Sequence, residues 1–168
     1  MILEITESAN LFNRKQMRRK DKEITDRSSI DSIIKETKIC HLALSDDGKP
    51  YVVPMCFGYD GQNIYLHSAQ EGKKIDILKK NNSVCVEFDT SCELVESPSP
   101  CAWSMKYKSS IAFGEASFVE DSQEKMKALK FIMQHYTDKE FQFPIQAVEK
   151  VAIIKVKIDS ISGKCSGD

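Results

Sequence analysis

A chain of 168 residues, 41% hydrophobic and 29% charged, has the length and composition of one soluble globular domain with a sizeable core. Its formal net charge of −1 argues against nucleic acid or an acidic membrane as a bulk electrostatic partner. No apolar run approaches the roughly 20 residues that span a bilayer, and Glu4 and Glu7 interrupt any leader-like apolar core, so the sequence predicts a cytoplasmic protein.

Residues 1–16 read as an N-terminal extension: Met1 to Ile5 is mildly apolar, but Asn10 to Lys15 is polar and keeps no period. Met17-Arg18-Arg19-Lys20-Asp21-Lys22 is a charge run whose plain reading is a solvated lead-in. Capping residues cluster at Asp26 to Ser29, and Ile30, Ile33 and Ile34 then form an i, i+3, i+4 stripe, which predicts a helix ending near Thr37.

The pattern next turns to strands. Ile39 to Leu44 is a first strand, Asp46-Asp47-Gly48 a hairpin turn, and Tyr51 to Tyr59 a second strand. Pro54 donates nothing to a ladder, so it marks an edge or a bulge, where the backbone of Val53 and Met55 is free to bond water or a ligand. Asp60-Gly61 is another turn, and Asn63 to Leu66 is a third strand.

That strand runs straight into His67-Ser68-Ala69-Gln70-Glu71-Gly72-Lys73-Lys74. Ser68 and Glu71 have the S-x-x-E spacing of a capping box, which makes Ser68 the expected N-cap of a helix reaching Asn81-Asn82, with Ile75 and Leu78 on one face. Lys73 and Lys74 then stand near the positive end of the helix dipole, where cations are disfavoured. A bound anion removes that conflict, and a helix start with free N–H groups is an anion site. Ser68, His67 and the two lysines would complete a phosphate pocket. The competing reading is two solvated lysines at a cost of about 1 kcal/mol at most.

Ser83 to Asp89 is a fourth strand with an extension through Leu94-Val95, followed by a loop over Glu96 to Pro100 and by Trp103. Ser110 to Val119 is a fifth strand, with a bulge expected at Gly114. Asp121 and Glu124 open another helix, in which Met126, Leu129, Met133 and Tyr136 form the expected core-facing stripe. Phe141 to Pro144 is a loop, and Val151 to Ile158 is the last strand, closed by Ile161 to Lys164. Six strands with tight turns, one short central helix and two flanking helices predict a mainly β fold, a small antiparallel barrel.

None of the six cysteines forms a C-x-x-C pair, so neither a zinc ribbon nor a thioredoxin-like motif is supported. Cys40, Cys56 and Cys85 lie in apolar strand-like runs and read as buried free thiols. Cys40 and His41 are adjacent on a strand and point to opposite faces, so they do not share a ligand, and no metal is expected there.

Four segments in order carry a family resemblance: Met-Arg-Arg-Lys-Asp-Lys (17–22), Tyr-Val-Val-Pro-Met-Cys-Phe-Gly-Tyr (51–59), Tyr-Leu-His-Ser-Ala-x-x-Gly-Lys-Lys-Ile-Asp (65–76) and Ser-x-Ile-Ala-Phe-Gly (109–114). The set resembles the Nim family of 5-nitroimidazole-resistance proteins, within the pyridoxamine-phosphate-oxidase-like, flavin-binding split-barrel superfamily. The resemblance implies a flavin-binding split-barrel domain over 17–168. It also implies a homodimer with flavin sites at the interface, and FMN as cofactor with its phosphate where the third strand meets the helix. His67, Ser68, Ala69, Lys73 and Lys74 fall on the phosphate segment, and Val53, Pro54 and Met55 on the strand that lines the isoalloxazine. Ser109 and Ser110 match the strand that reaches the flavin from the partner subunit, and Trp103 either walls the ring or is a dimer-core aromatic.

The chain departs from pyridoxamine phosphate oxidases in three places. Lys73 stands where they carry an arginine, losing the bidentate grip on phosphate. Their substrate-binding C-terminal segment is not found, which weakens a vitamin B6 oxidase reading. The loop from Cys92 to Pro100 has no counterpart in the family pattern, so an open rim there would admit FAD. The leading expectation is a flavin-dependent reductase of nitroaromatic or quinone-like acceptors. His67 is its candidate proton donor, because imidazole titrates near ~6.5, and a structural histidine is the alternative. Two other readings stay open: a non-catalytic flavin-binding or redox-sensing module, and a haem-binding split barrel.

Overall fold

The structure, a computed structural model, describes residues 17–167, so the expected extension over 1–16 lies outside the described residues. A 3-10 turn over Lys20–Lys22 leads into β1 (Glu23–Ile24) and α1 (Arg27–Glu36). The chain continues through β2 (Cys40–Asp46), β3 (Lys49–Met55), β4 (Phe57–Tyr59), β5 (Asn63–Ser68) and α2 (Lys73–Lys80). It finishes with β6 (Ser83–Val95), β7 (Ser104–Val119), α3 (Ser122–Tyr136), α4 (Ile145–Val148) and β8 (Ala152–Ser166). All pairings are antiparallel, in the order β3-β2-β6-β7-β8-β5-β4, with β1 added beside β8.

The described residues form eight strands rather than the expected six. One addition is β1, which follows the charge run: Glu23 and Ile24 pair with Lys164 and Gly163, and Lys22, the last residue of the run, donates from Nζ to Ser166 Oγ at 2.7 Å. The other comes from the Tyr51–Tyr59 stretch, which is two strands. Met55 pairs with Cys40 on β2, and two residues later Phe57 pairs with Leu66 on β5. The chain crosses at Cys56 from one edge of the sheet to the other, so the two edges are joined covalently and not by a ladder. Pro54 is tolerated because β3 is an edge strand. The bulge expected at Gly114 is present, as a register shift between Phe113 and Gly114 against β8.

Inward-pointing Leu42, Phe57, Leu66, Val86, Phe88 and Ile154 fill the core, with Phe57 and Phe88 edge to face at 5.0 Å. Helix α1 begins at Asp26, whose carboxylate accepts from Ser29 N, and buries the predicted Ile30, Ile33 and Ile34. Thr37 Oγ1 donates to Asp89 O at 3.2 Å and ties its C-terminus to β6. The other end of the barrel is covered by α2 through Ile75, Ile77 and Leu78.

Two expectations about side-chain burial are corrected. On α3 the buried residues are Lys125, Ala128 and Ile132, while Met126, Leu129 and Met133 are half-buried and Tyr136 is exposed. The helix is turned because its backbone comes very close to β4: a Cβ on Gly58 would sit 2.5 Å from Phe131 C and Ile132 N. Small Ala128 fits that approach; a Met-Leu-Met face does not. Lys125 lays its stem along the sheet and donates from Nζ to Val151 O at 3.1 Å. Among the cysteines, Cys40 is buried, and burial pushes its thiol up to about 12, but Cys85 is half-buried and Cys56 is exposed. Cys56 occupies the crossing between the two sheet edges, which takes it out of the alternating pattern.

Gly58→Ala is expected to lower stability by about 1–3 kcal/mol by pushing α3 off the sheet, read as a lower urea midpoint. His135, on α3, bonds Thr37 O through Nε2 at 2.7 Å and lies against Phe57. Burial holds its pKa below that of an ordinary imidazole, with the Thr37 hydrogen bond opposing that shift and Lys38 adding to it. The unfolded chain therefore binds this proton more readily. The contribution is complete above the unfolded value and is lost as pH falls below it towards the folded value. Urea midpoints should fall between pH 7.5 and 5.5, and His135→Gln should flatten that slope.

Candidate functional site

Ladder pairing between β4 and β5 ends at Phe57 and Leu66. Beyond that point β3 turns away to pair with β2, while β5 continues through His67 and Ser68 along β8. The barrel is therefore split here, with the free edge of β3 on one side and the end of β5 on the other. Tyr136 holds the divergence in place: its hydroxyl accepts from Phe57 N at 3.0 Å and donates to Lys38 O at 2.9 Å.

Residues 69–72 then carry the chain from β5 to α2. The capping box expected at Ser68 and Glu71 does not form, because Ser68 is still in the ladder, opposite Ala152. The N-cap is Gly72, with φ of 121°, a conformation that favours glycine, and no side chain caps the helix. Gly72 O accepts from Ile75 N at 2.9 Å and from Asp76 N at 3.1 Å. Lys73 and Lys74 are thus the first two residues of α2, where backbone N–H groups have no acceptor within the helix. The predicted pairing of two lysines with the positive helix end is real, and α2 ends at Lys80, with Asn81 as C-cap.

Lys73 is not simply solvated. Its Nζ lies over the Tyr51 ring, 4.7 Å from the centroid, which draws the start of α2 against β3. The sequence reading missed Tyr51 as a site residue; its place two residues before Val53 was the available signal. The structure thereby brings Lys73 beside the strand carrying Val53, Pro54 and Met55. Along that strand Val53 is half-buried, Pro54 exposed and Met55 buried.

His67 and Ser68 do not converge on one point, because neighbouring strand residues face opposite ways. His67 is exposed, and its ring has no hydrogen bond to a described residue; Ala69 is exposed in the loop. Ser68 is 7% exposed, and its Oγ has no hydrogen-bond partner among the described residues. An unsatisfied buried hydroxyl is unfavourable, and here it lies in the segment leading to an uncapped helix start.

Ser109, Ser110 and Trp103 lie elsewhere. Ser109 pairs with Lys164 and Ser68 with Ala152, twelve positions apart on β8, or roughly 40 Å of strand at about 3.3 Å per residue. Ser109 is half-buried, whereas Ser110 points into the core, is 1% exposed and has an unpartnered Oγ. Trp103 is exposed beyond the far end of the β6–β7 pairing, its Nε1 donating to Ser97 O at 2.6 Å. The chain also has clefts of about 580 Å³ against Asp31, Tyr59 and His135, and about 420 Å³ against Lys130, Met133 and Phe141; these lie along α3, not at the split.

A family model described as pyridoxamine 5′-phosphate oxidase matches residues 26–165. Among solved structures, a protein from Bacteroides thetaiotaomicron, provisionally named a 5-nitroimidazole antibiotic resistance protein, is 42% identical. The match covers 85% of this chain and 86% of that one, with a TM-score of 0.78. The flavocytochrome Anf3 from Azotobacter vinelandii shares the fold at 19% identity, covering 91% and 73% of the two chains with a TM-score of 0.79. An FAD and heme binding protein from Mycobacterium smegmatis does so at 20% identity, covering 88% and 74% with a TM-score of 0.78. No curated protein matches the sequence.

Removing an orphaned hydroxyl removes its desolvation cost. Ser68→Ala and Ser110→Ala are each expected to raise the stability of the ligand-free protein by about 1 kcal/mol, measured by urea unfolding; a loss of stability would show that the hydroxyl is bonded in solution.

Proposed function

The chain belongs to the pyridoxamine 5′-phosphate oxidase family, and within it to the Nim-type 5-nitroimidazole-resistance proteins; from that premise we propose that it is a flavin-binding oxidoreductase acting on nitroaromatic or quinone-like acceptors. The observation that carries the reading is the uncapped start of α2 at Gly72, with Lys73 and Lys74 as its first residues and the unpartnered Ser68 hydroxyl just before it. These groups fit the phosphate of FMN: two point charges, free N–H donors and a buried hydroxyl.

When bound, the flavin supplies the electron transfer. The chain's own groups bind and orient. Lys73 and Lys74 neutralise phosphate charge, and Tyr51 fixes the direction of Lys73. The free edge of β3 at Val53–Met55 offers backbone groups to the ring edge. His67, exposed on β5, is the group proposed to hold a proton for the acceptor.

The proposed active form is a homodimer. Ser109 and Trp103 lie too far along the β6–β7 hairpin to reach the α2 start of their own chain, so a second copy would have to present them, and Ser110, whose side chain faces its own core, would contribute only its backbone. An outward row across four strands, Val52–Ala43–Cys85–Phe113, supports such an interface, with Val52 56% and Phe113 38% exposed.

The deciding experiment is purification, a visible spectrum, and chromatography of any released chromophore, followed by sedimentation and a nitroimidazole assay with a reduced nicotinamide donor. Released FMN, two chains per particle and flavin-dependent turnover are expected. Released FAD would redirect the cofactor assignment to the longer flavin, and retention without turnover would remove the reductase. A protein that takes up no flavin would overturn the site. Lys73→Ala and Lys74→Ala should each weaken FMN binding by about tenfold or more, the loss of one charge-assisted contact.

A further inference from the structure

The outward face of β2 and β6 carries a group of metal-ligating side chains that the flavin reading does not use. His41 lies on β2; Glu87 and Asp89 lie on β6, and their i, i+2 spacing sends both carboxylates to one face. The register sets Glu87 directly across from His41. Glu87 Oε2 is 3.2 Å from His41 Nδ1, and Asp89 Oδ1 is 3.9 Å from the same nitrogen. One ligand atom from each residue lies within 4.8 Å of the other two. All three residues are half-buried or more exposed at their tips in the single chain, and they lie on the same outward face as the Ala43–Cys85 pair, two positions along each strand, so in the proposed dimer an ion would sit beside the seam.

No lysine or arginine among the described residues forms an ion pair with Glu87 or Asp89. Two carboxylates therefore share one imidazole, which is at most a single positive charge. Among the described residues the neighbours add no cationic partner: Thr37 Oγ1 donates to the backbone carbonyls of Ile33 and Asp89, not to a carboxylate, and the Cys92 thiol donates to Asp89 Oδ2 at 3.5 Å.

We propose that His41, Glu87 and Asp89 form a binding site for a divalent transition-metal ion, with Zn²⁺ as the best-matched occupant. One imidazole nitrogen and two carboxylate oxygens form a borderline donor set that suits Zn²⁺, where a carboxylate-only set would suit Mg²⁺ or Ca²⁺. Metal–ligand bonds of about 2.0–2.2 Å in a tetrahedral site place neighbouring donors roughly 3.4 Å apart. The His41–Glu87 pair at 3.2 Å already has that spacing, and Asp89 needs to close on His41 by about half an ångström and to lie within reach of Glu87, a change of side-chain rotation. Three protein donors leave a fourth position for water or another oxygen ligand. A bound dication also neutralises the two carboxylates on a face that otherwise offers them one histidine.

Isothermal titration of Zn²⁺ into the full chain, stripped with chelator and free of flavin, tests this. One ion per chain is expected, with affinity reduced at least tenfold in Asp89→Asn and in His41→Gln, each checked for native circular dichroism. Co²⁺ substitution should give visible bands without a thiolate charge-transfer feature, and Cys92→Ser, which removes the thiol beside Asp89, should leave binding in place. Should one variant fail to fold, the other still decides. The proposal is overturned by the absence of stoichiometric binding, as expected if a cationic side chain of a second copy pairs with the trio instead, or by binding that survives both substitutions. Because the readout involves no flavin and no turnover, its failure is independent of the reading of the α2 start.

Discussion

The handover at Cys56 is the constraint on which the rest of the molecule depends. A strand can pair on two edges, but residues 49–55 and 57–59 pair with different neighbours, β2 and β5, and so form the two opposite end strands of the sheet. One residue of covalent chain does the work of a ladder in joining those ends. The cost is a stretch of unpaired backbone on β3 and at the end of β5, and unpaired backbone must find other partners. Tyr136 supplies one of them at Phe57 N. The remaining edge is what a ligand can use, and the opening is therefore a consequence of topology more than of any side chain.

The same topology explains why the groups at α2 look incomplete in one chain. Lys73, Lys74 and Tyr51 gather at the start of α2, held by the Gly72 cap and the lysine–tyrosine contact, while Ser68 ends β5 four residues before that cap. The β6–β7 hairpin carries Ser109, Ser110 and Trp103 the other way along the barrel. The long hairpin leads away from the α2 start of its own chain, and an apolar row faces outward on the same sheet; the proposed dimer rests on these two features. Ser110 does not fit that arrangement as simply as Ser109, since its side chain faces the core under α1.

The outward face of the sheet also shows how cross-strand register makes chemistry that a linear pattern hides. His41 stands 46 positions before Glu87 in the chain, yet they are direct neighbours across β2 and β6. Considering His41 only with its sequence neighbour Cys40 correctly separates those two, because they face opposite sides. It says nothing of the carboxylates that the next strand brings alongside.

Local chemistry was legible in the sequence wherever one element decides it. Asp26 and Asp121 cap their helices, Ile30, Ile33 and Ile34 are buried, Gly114 marks a bulge, and two lysines open α2. Each follows from periodicity or from hydrogen bonding within a few residues. What the tertiary structure decided is everything that depends on a distant neighbour. Ser68 could serve as an N-cap by its spacing to Glu71, but pairing with Ala152 keeps it in β5 and leaves the cap to Gly72. The Met126, Leu129, Met133 stripe was the more apolar face of α3, but the close approach to Gly58 selects the smaller face with Ala128. Tyr51 to Tyr59 is one continuous β-prone run, and only the closing of the barrel divides it at Cys56. Propensity and pattern set what each segment prefers; packing against partners far along the chain sets which preference is realised.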